Sequence, residues 1–225
     1  MQPEELFGLA LGINDPWQVV SVVFSKELKR LDISIDFKRG ATFPCTVCGA
    51  MVPVHDTVEK TWRHMNFFQY ETYLKACTPR VKCPKDGCGV KLVTVPWARS
   101  GSGFTLLFEA LAMALTREMP IKIEAAHLGE HDTRIWRIVG HYVEEARARA
   151  DFSEVTRLGI DETSARRGQD YIGLHDMDEK RLLFATEGKG HATVRAFTED
   201  LKAHMDVLKT SPLPVPTCLR HSSRG

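Results

Sequence analysis

The chain has 225 residues, 43% hydrophobic and 26% charged, enough to bury a sizeable core and to divide into two or three domains. Its formal net charge of +1 excludes a uniformly basic polyanion binder, and no run of about eighteen apolar residues exists to span a membrane. The opening Met1-Gln2-Pro3-Glu4-Glu5 lacks the basic and apolar regions of a signal peptide, so a cytoplasmic protein with reduced thiols is expected.

Residues 4–11 suit a short helix. Residues 17–24 are rich in Val, and residues 31–37 alternate apolar with polar at Leu31, Ile33, Ile35 and Phe37, the period of a half-buried strand. This small β layer leads into Cys45-Thr46-Val47-Cys48-Gly49. A second pair, Cys83 and Cys88, follows an aromatic stretch at residues 62–73. Two close cysteine pairs, each followed by glycine, are what a tetrahedral zinc site needs: each turn presents two thiolates, and glycine lets the backbone bend beneath the metal. A redox C-x-x-C or simply buried small thiols are the competing readings. The wider second spacing leaves Asp86 as an alternative fourth ligand to Cys88, and His64 as an unneeded one; Cys77 and Cys218 have no close partner.

Between residues 41 and 98, seven Lys/Arg stand against four Asp/Glu, an excess that fits either a nucleic-acid partner or a solvated charged face. Within it, Arg63 and the neighbouring aromatics offer phosphate contact or base stacking, while Trp62, Phe68 and Tyr70 equally suit a core.

Residues 99–103, Arg-Ser-Gly-Ser-Gly, form the clearest break in the chain. Helical periodicity follows at 104–117, 121–128 and 132–150, with Pro120 opening the second helix, Gly129 at a turn, and Asp132 or Thr133 capping the third. Ile135, Ile138, Val139, Tyr142 and Val143 line one apolar face. As a DNA-binding helix-turn-helix this module would put His131, Thr133, Arg134 and Arg137 near base edges. Seven basic and seven acidic residues between 99 and 150 fit a helical hairpin that never meets DNA as well.

Strand patterns come next at 155–160, ending in Asp161-Glu162, then at 170–175 and 181–186 around a turn at 176–179, with a helix at 193–205. Strand, strand, strand, helix is how an RNase H-like domain begins. An acid closing its first strand is either a turn residue or a metal-binding carboxylate, since cutting a phosphodiester with two divalent ions needs several converging carboxylates. The fold class expected is α/β and multidomain: a zinc-ribbon-like β region at 1–98, a helix-turn-helix at 99–150, an incomplete RNase H-like βββα domain at 151–211, and a disordered tail at 212–225.

The ordered set Cys45-x-x-Cys48-Gly49, Trp62-Arg63-His64, Arg80-Val81-Lys82-Cys83-Pro84, Val95-Pro96-Trp97-Ala98-Arg99, Leu128-Gly129-Glu130-His131-Asp132-Thr133, Gly159-Ile160-Asp161-Glu162-Thr163-Ser164 and Thr186-Glu187-Gly188 resembles bacterial insertion-sequence transposases of the ISL-three type. The resemblance runs from about residue 43 to about residue 205. It implies Cys45, Cys48, Cys83 and Cys88 as zinc ligands and Asp161 as the first carboxylate of a DDE triad served by Mg²⁺ or Mn²⁺. The implied partner is double-stranded DNA at terminal inverted repeats, bound by multimers on paired ends. Family members continue into a strand ending in a second Asp and later reach a Glu. Here residues 206–225 carry Pro212, Pro214 and Pro216 at alternate positions, which a central strand does not tolerate. Neither partner acid can be assigned, so a frameshifted or truncated chain, inactive alone, is expected. A zinc-stabilised DNA-binding module without catalysis, or a non-functional fragment, are the alternatives.

Overall fold

The computed structural model describes residues 2–166, 169–188 and 191–205. Two compact units, Met1–Val139 and Gly140–Gly225, divide the chain. The expected tail at 212–225 lies outside the described residues.

In the first unit, the apolar alternation beyond residue 30 becomes a sheet. Helix α1 (Pro3–Ala10) precedes β1 (Trp17–Ser25), β2 (Arg30–Phe37), β3 (Thr42–Pro44), β4 (Met51–Phe67), β5 (Tyr70–Cys83) and β6 (Gly89–Leu92). The sheet order is β1-β2-β5-β4-β3, with β2 parallel to β5 and β6 antiparallel to it. Leu31, Ile33 and Ile35 point into the core, as their period of two requires. The aromatic stretch between the cysteine pairs falls on the 17-residue β4 and the 14-residue β5. Trp62 is buried edge-on to Trp97 at 5.6 Å, which meets Trp17 at 5.0 Å. Phe68, a candidate core residue, instead sits at the hairpin tip with φ 53° and is 81% exposed.

Helices α2 (Leu106–Thr116), α3 (Ile121–Leu128) and α4 (Asp132–Ala148) follow. The Thr105 hydroxyl caps α2 by accepting from Phe108 N. Gly129 ends α3 at φ 68°, a left-handed conformation that glycine adopts without a Cβ clash. Ile135 and Ile138 are buried as expected, whereas Val143 is exposed. The small residues at 99–103 do not form a free linker. Gly103 O accepts from Arg63 N, Arg63 O accepts from Thr105 N, and the wholly buried Glu109 accepts from Arg99 Nε at 2.9 Å and Ser102 Oγ at 2.6 Å.

Arg63 is a second correction. Expected at a DNA surface, it has a side chain 1% exposed. Its guanidinium donates to the carbonyls of His64, Thr72 (3.3 Å) and Leu128 (3.5 Å) and to Asn66 Oδ1 (2.5 Å), lies 3.6 Å from the Glu130 carboxylate, and stands over the rings of Tyr73 and Phe108. Next to it, His64 shares a 2.8 Å hydrogen bond with Thr105 Oγ1, and burial, then Arg63, pulls its imidazole down to about 4.

The second unit holds the end of α4, strands β7 (Leu158–Arg166), β8 (Gln169–Asp176) and β9 (Arg181–Glu187) in an antiparallel sheet, and α5 (His191–Met205). Ile172 and Leu174 pack with Phe197 of α5. Arg147 pairs with Asp200 at 2.6 Å, and His204 Nε2 bonds the Arg147 carbonyl at 3.0 Å. The first strand departs from expectation: it starts at Leu158, three residues late, and runs through the acidic pair, because β8 supplies ladder partners opposite Asp161, Glu162, Thr163 and Ser164. No helix among the described residues is long and apolar enough to cross a membrane.

Two outcomes follow for the buried pair of neighbours. Arg63→Ala, which leaves the buried carbonyls of Thr72 and Leu128 without their donor and removes one of the two arginines on Glu130, lowers stability by about 3–5 kcal/mol in denaturant titration of the full chain; a loss below about 1 kcal/mol would show that water replaces the guanidinium freely. His64 is neutral when folded and titrates near 6.5 when unfolded, so the unfolded state gains the proton first. Stability is full above pH 6.5 and falls as pH drops toward 4, by an amount on the order of 3 kcal/mol. His64→Gln should flatten that part of the pH–stability curve; an unchanged curve assigns the titration elsewhere.

Candidate functional site

The two cysteine pairs are far apart in sequence, and the β4–β5 register brings them together. Val54 pairs with Val81, so the turn before β4 lies beside the turn after β5. Gly49 N–H donates to Cys45 O at 2.8 Å, Cys45 N–H to Ala50 O at 2.8 Å, and Cys88 N–H to Lys85 O at 3.2 Å, which holds each turn in shape. Gly49, Gly87 and Gly89 all have positive φ there. The sulfurs of Cys45, Cys48, Cys83 and Cys88 lie within 4.8 Å of one another, with Cys48 and Cys83 at 3.6 Å. Zinc–sulfur bonds of about 2.3 Å in a tetrahedron put sulfurs about 3.8 Å apart, so the four thiols fit the ion. Cys88 is the fourth member of this cluster; Asp86 is exposed and outside it, and His64 is bonded to Thr105 instead. The backbone N–H groups of Cys48 and Val47 hold the Cys45 thiol down to about 7, while burial pushes that of Cys88 up to about 12. Zinc binding therefore has to displace protons, and a closed four-thiolate site leaves no open position for a reacting water.

At the start of α4, the His131 carbonyl accepts from Arg134 N and Ile135 N, and Asp132 Oδ1 accepts from Thr133 N at 2.7 Å. His131, Thr133 and Arg137 are exposed. Arg134 is half-buried, paired with Glu130 and laid over the Phe104 ring at 4.3 Å. Glu130, not among the residues expected at this site, is 5% exposed and serves both Arg63 and Arg134; its spacing of four from Arg134 is the local signal for the second pair. Burial pushes its carboxyl up, against the pull of Arg134 and Arg63.

Asp161 is in mid-strand, exposed, opposite Gly173; its neighbour Glu162 is opposite Ile172. Directly paired residues share a face, so Asp161 projects on the side away from the Ile172–Leu174 core. Among the described residues, the cysteine cluster is the one grouping of three or more potential metal ligands, so no such grouping includes Asp161.

Residues 41–88 match the zinc-finger of transposase IS204/IS1001/IS1096/IS1165, residues 93–143 the helix-turn-helix domain of transposase family ISL3, and residues 158–210 a transposase domain. Zinc ribbon, helix-turn-helix and transposase domain in this order define a DDE-type transposase architecture. The chain belongs to the ISL3 family of insertion-sequence transposases. Transposases for insertion sequence element IS1557 from two Mycobacterium tuberculosis strains, CDC 1551 / Oshkosh and ATCC 25618 / H37Rv, are each 34% identical over 174 residues. The match covers 71% of this chain and 36% of each relative, so the chain spans little more than a third of their length. No solved structure matches.

Metal analysis should find one zinc per chain, lost with the β-sheet circular dichroism on chelation and released as pH falls, because protons compete for the thiolates. Cys88→Ser should lose the metal and Asp86→Ala keep it; the opposite pattern would reverse the fourth-ligand assignment.

Proposed function

We propose that this chain binds double-stranded DNA at the terminal inverted repeats of an insertion sequence, in the cytoplasm, with α4 entering the major groove. The observation that carries the reading is the exposed start of α4, set by the left-handed turn at Gly129 and presenting His131 and Thr133 where a recognition helix meets base edges. The zinc ribbon holds the sheet beneath this module and takes no part in chemistry.

Asp161 is proposed as the first metal-binding carboxylate of the cutting site. Mg²⁺ or Mn²⁺, when bound, would stabilise the attacking and leaving oxygens of the phosphodiester. Asp161 contributes one hard oxygen ligand on an open strand, and Gly173 opposite it adds no side chain to crowd the ion. Two ions need several carboxylates, and no described acid joins Asp161 in a cluster, so this polypeptide alone is proposed to bind ends without cutting them. Pairing of ends by two or more copies completes the reading.

The test is one experiment with two readouts, using a labelled duplex carrying the inverted repeat of the element. Anisotropy at fixed salt should show tighter binding to this duplex than to a scrambled one, and equal affinity would remove end recognition. With Mg²⁺ present, no nicking is expected. Nicking that disappears in Asp161→Ala would overturn the proposed inactivity while supporting the role of Asp161.

A further inference from the structure

We propose that a cleft between the 99–104 turn and α4 seats a backbone phosphodiester of the bound DNA, so that Arg134 and Arg137 grip the sugar-phosphate strand instead of reading bases. This rests on the reading of α4 as the DNA-binding helix. The cleft, about 270 Å³, is lined by Arg99, Arg134 and Arg137 together with the small residues of the turn, Phe104 and Ile138.

Each arginine is placed differently. Arg99 gives its Nε to the buried Glu109, which fixes the plane of its guanidinium and leaves the terminal nitrogens for another acceptor. Arg134 is held by Glu130 and by the Phe104 ring, and its Nη2 lies 3.6 Å from where a Cβ on Gly103 would be. It therefore lies along the turn and does not reach forward from the helix. Arg137, one helical turn on, is exposed and has no ion pair or hydrogen bond from its side chain among the described residues.

The charges do not cancel. Three guanidiniums face two carboxylates, Glu109 and Glu130, and both acids are buried behind the arginines they orient, at 0% and 5% side-chain exposure. Arg99 and Arg134 are thus balanced and oriented by their acids, and the surplus positive charge is that of the exposed Arg137; planar guanidinium donors with a net charge of one match a singly charged phosphodiester better than a neutral base edge. Gly101, at φ 77°, and Gly103 add no side chain at their own positions, and the Ser102 hydroxyl between them is turned to Glu109, so a strand can approach the backbone closely. Contacts of this kind set register along a duplex and carry no sequence information.

Arg137 is the residue to change, because it is exposed and holds nothing else in place. The full chain is titrated at several salt concentrations against two fluorescein-labelled duplexes of unrelated sequence, one AT-rich and one GC-rich. For Arg137→Gln, with an unchanged circular dichroism spectrum, affinity should fall about 3- to 10-fold on both duplexes, and the slope of log K against log salt should drop by about 0.9, the signature of one lost phosphate contact. Arg137→Lys should restore the slope. Affinity and slope equal to wild type would overturn the site, and a loss confined to one duplex would return Arg137 to base reading. Wild-type protein that binds neither duplex would remove the DNA reading of α4 and this site with it.

Discussion

The Arg63 guanidinium lies inside the first unit with a side chain 1% exposed, and the sheet and the helical module meet around it. An unpaired charge at that depth is strongly unfavourable, so its acceptors have to be present together. They come from β4 and its hairpin (His64, Asn66, Thr72), from the last carbonyl of α3 at Leu128, and from Glu130 in the turn before α4. The Arg63 backbone bonds Gly103 and Thr105 on the same stretch. One side chain of the sheet therefore anchors the turn that leads into α4.

Strand β4 joins the two working ends of this unit. Its start lies beside the cysteine turns, and its far half carries Arg63 and His64. The zinc site is closed by four thiolates, and the Arg63 cluster by hydrogen bonds and a neutral imidazole, so neither is suited to chemistry. Both act as fasteners. Exposed beside them are the start of α4 and the arginine-lined turn, the surfaces on which the proposed base and strand contacts rest.

The β7–β9 sheet places its acids differently. Asp161 and Glu162 are adjacent in sequence yet project from opposite faces, because successive strand residues alternate. They therefore cannot act as a pair on one ion from a regular strand, so the metal role proposed for Asp161 does not extend to Glu162.

The sequence by itself determined the features that depend on near neighbours: the cysteine turns with their glycines, the three helices of the middle module with Gly129 between α3 and α4, and the period of two in β2. It also carried, in the order of its motifs, the family to which the chain belongs. Only the tertiary structure decided the rest. Arg63 left the surface because its partners at Leu128 and Glu130 are more than sixty residues away, a separation no local pattern encodes. The first strand of the second unit ran past its acidic pair because β8 offered ladder partners, and the Gly/Ser break at 99–103 became a fastened turn because Glu109 and Arg63 hold it. In each case a distant group satisfied a charge or a backbone donor, and that outweighed the local propensity of the segment.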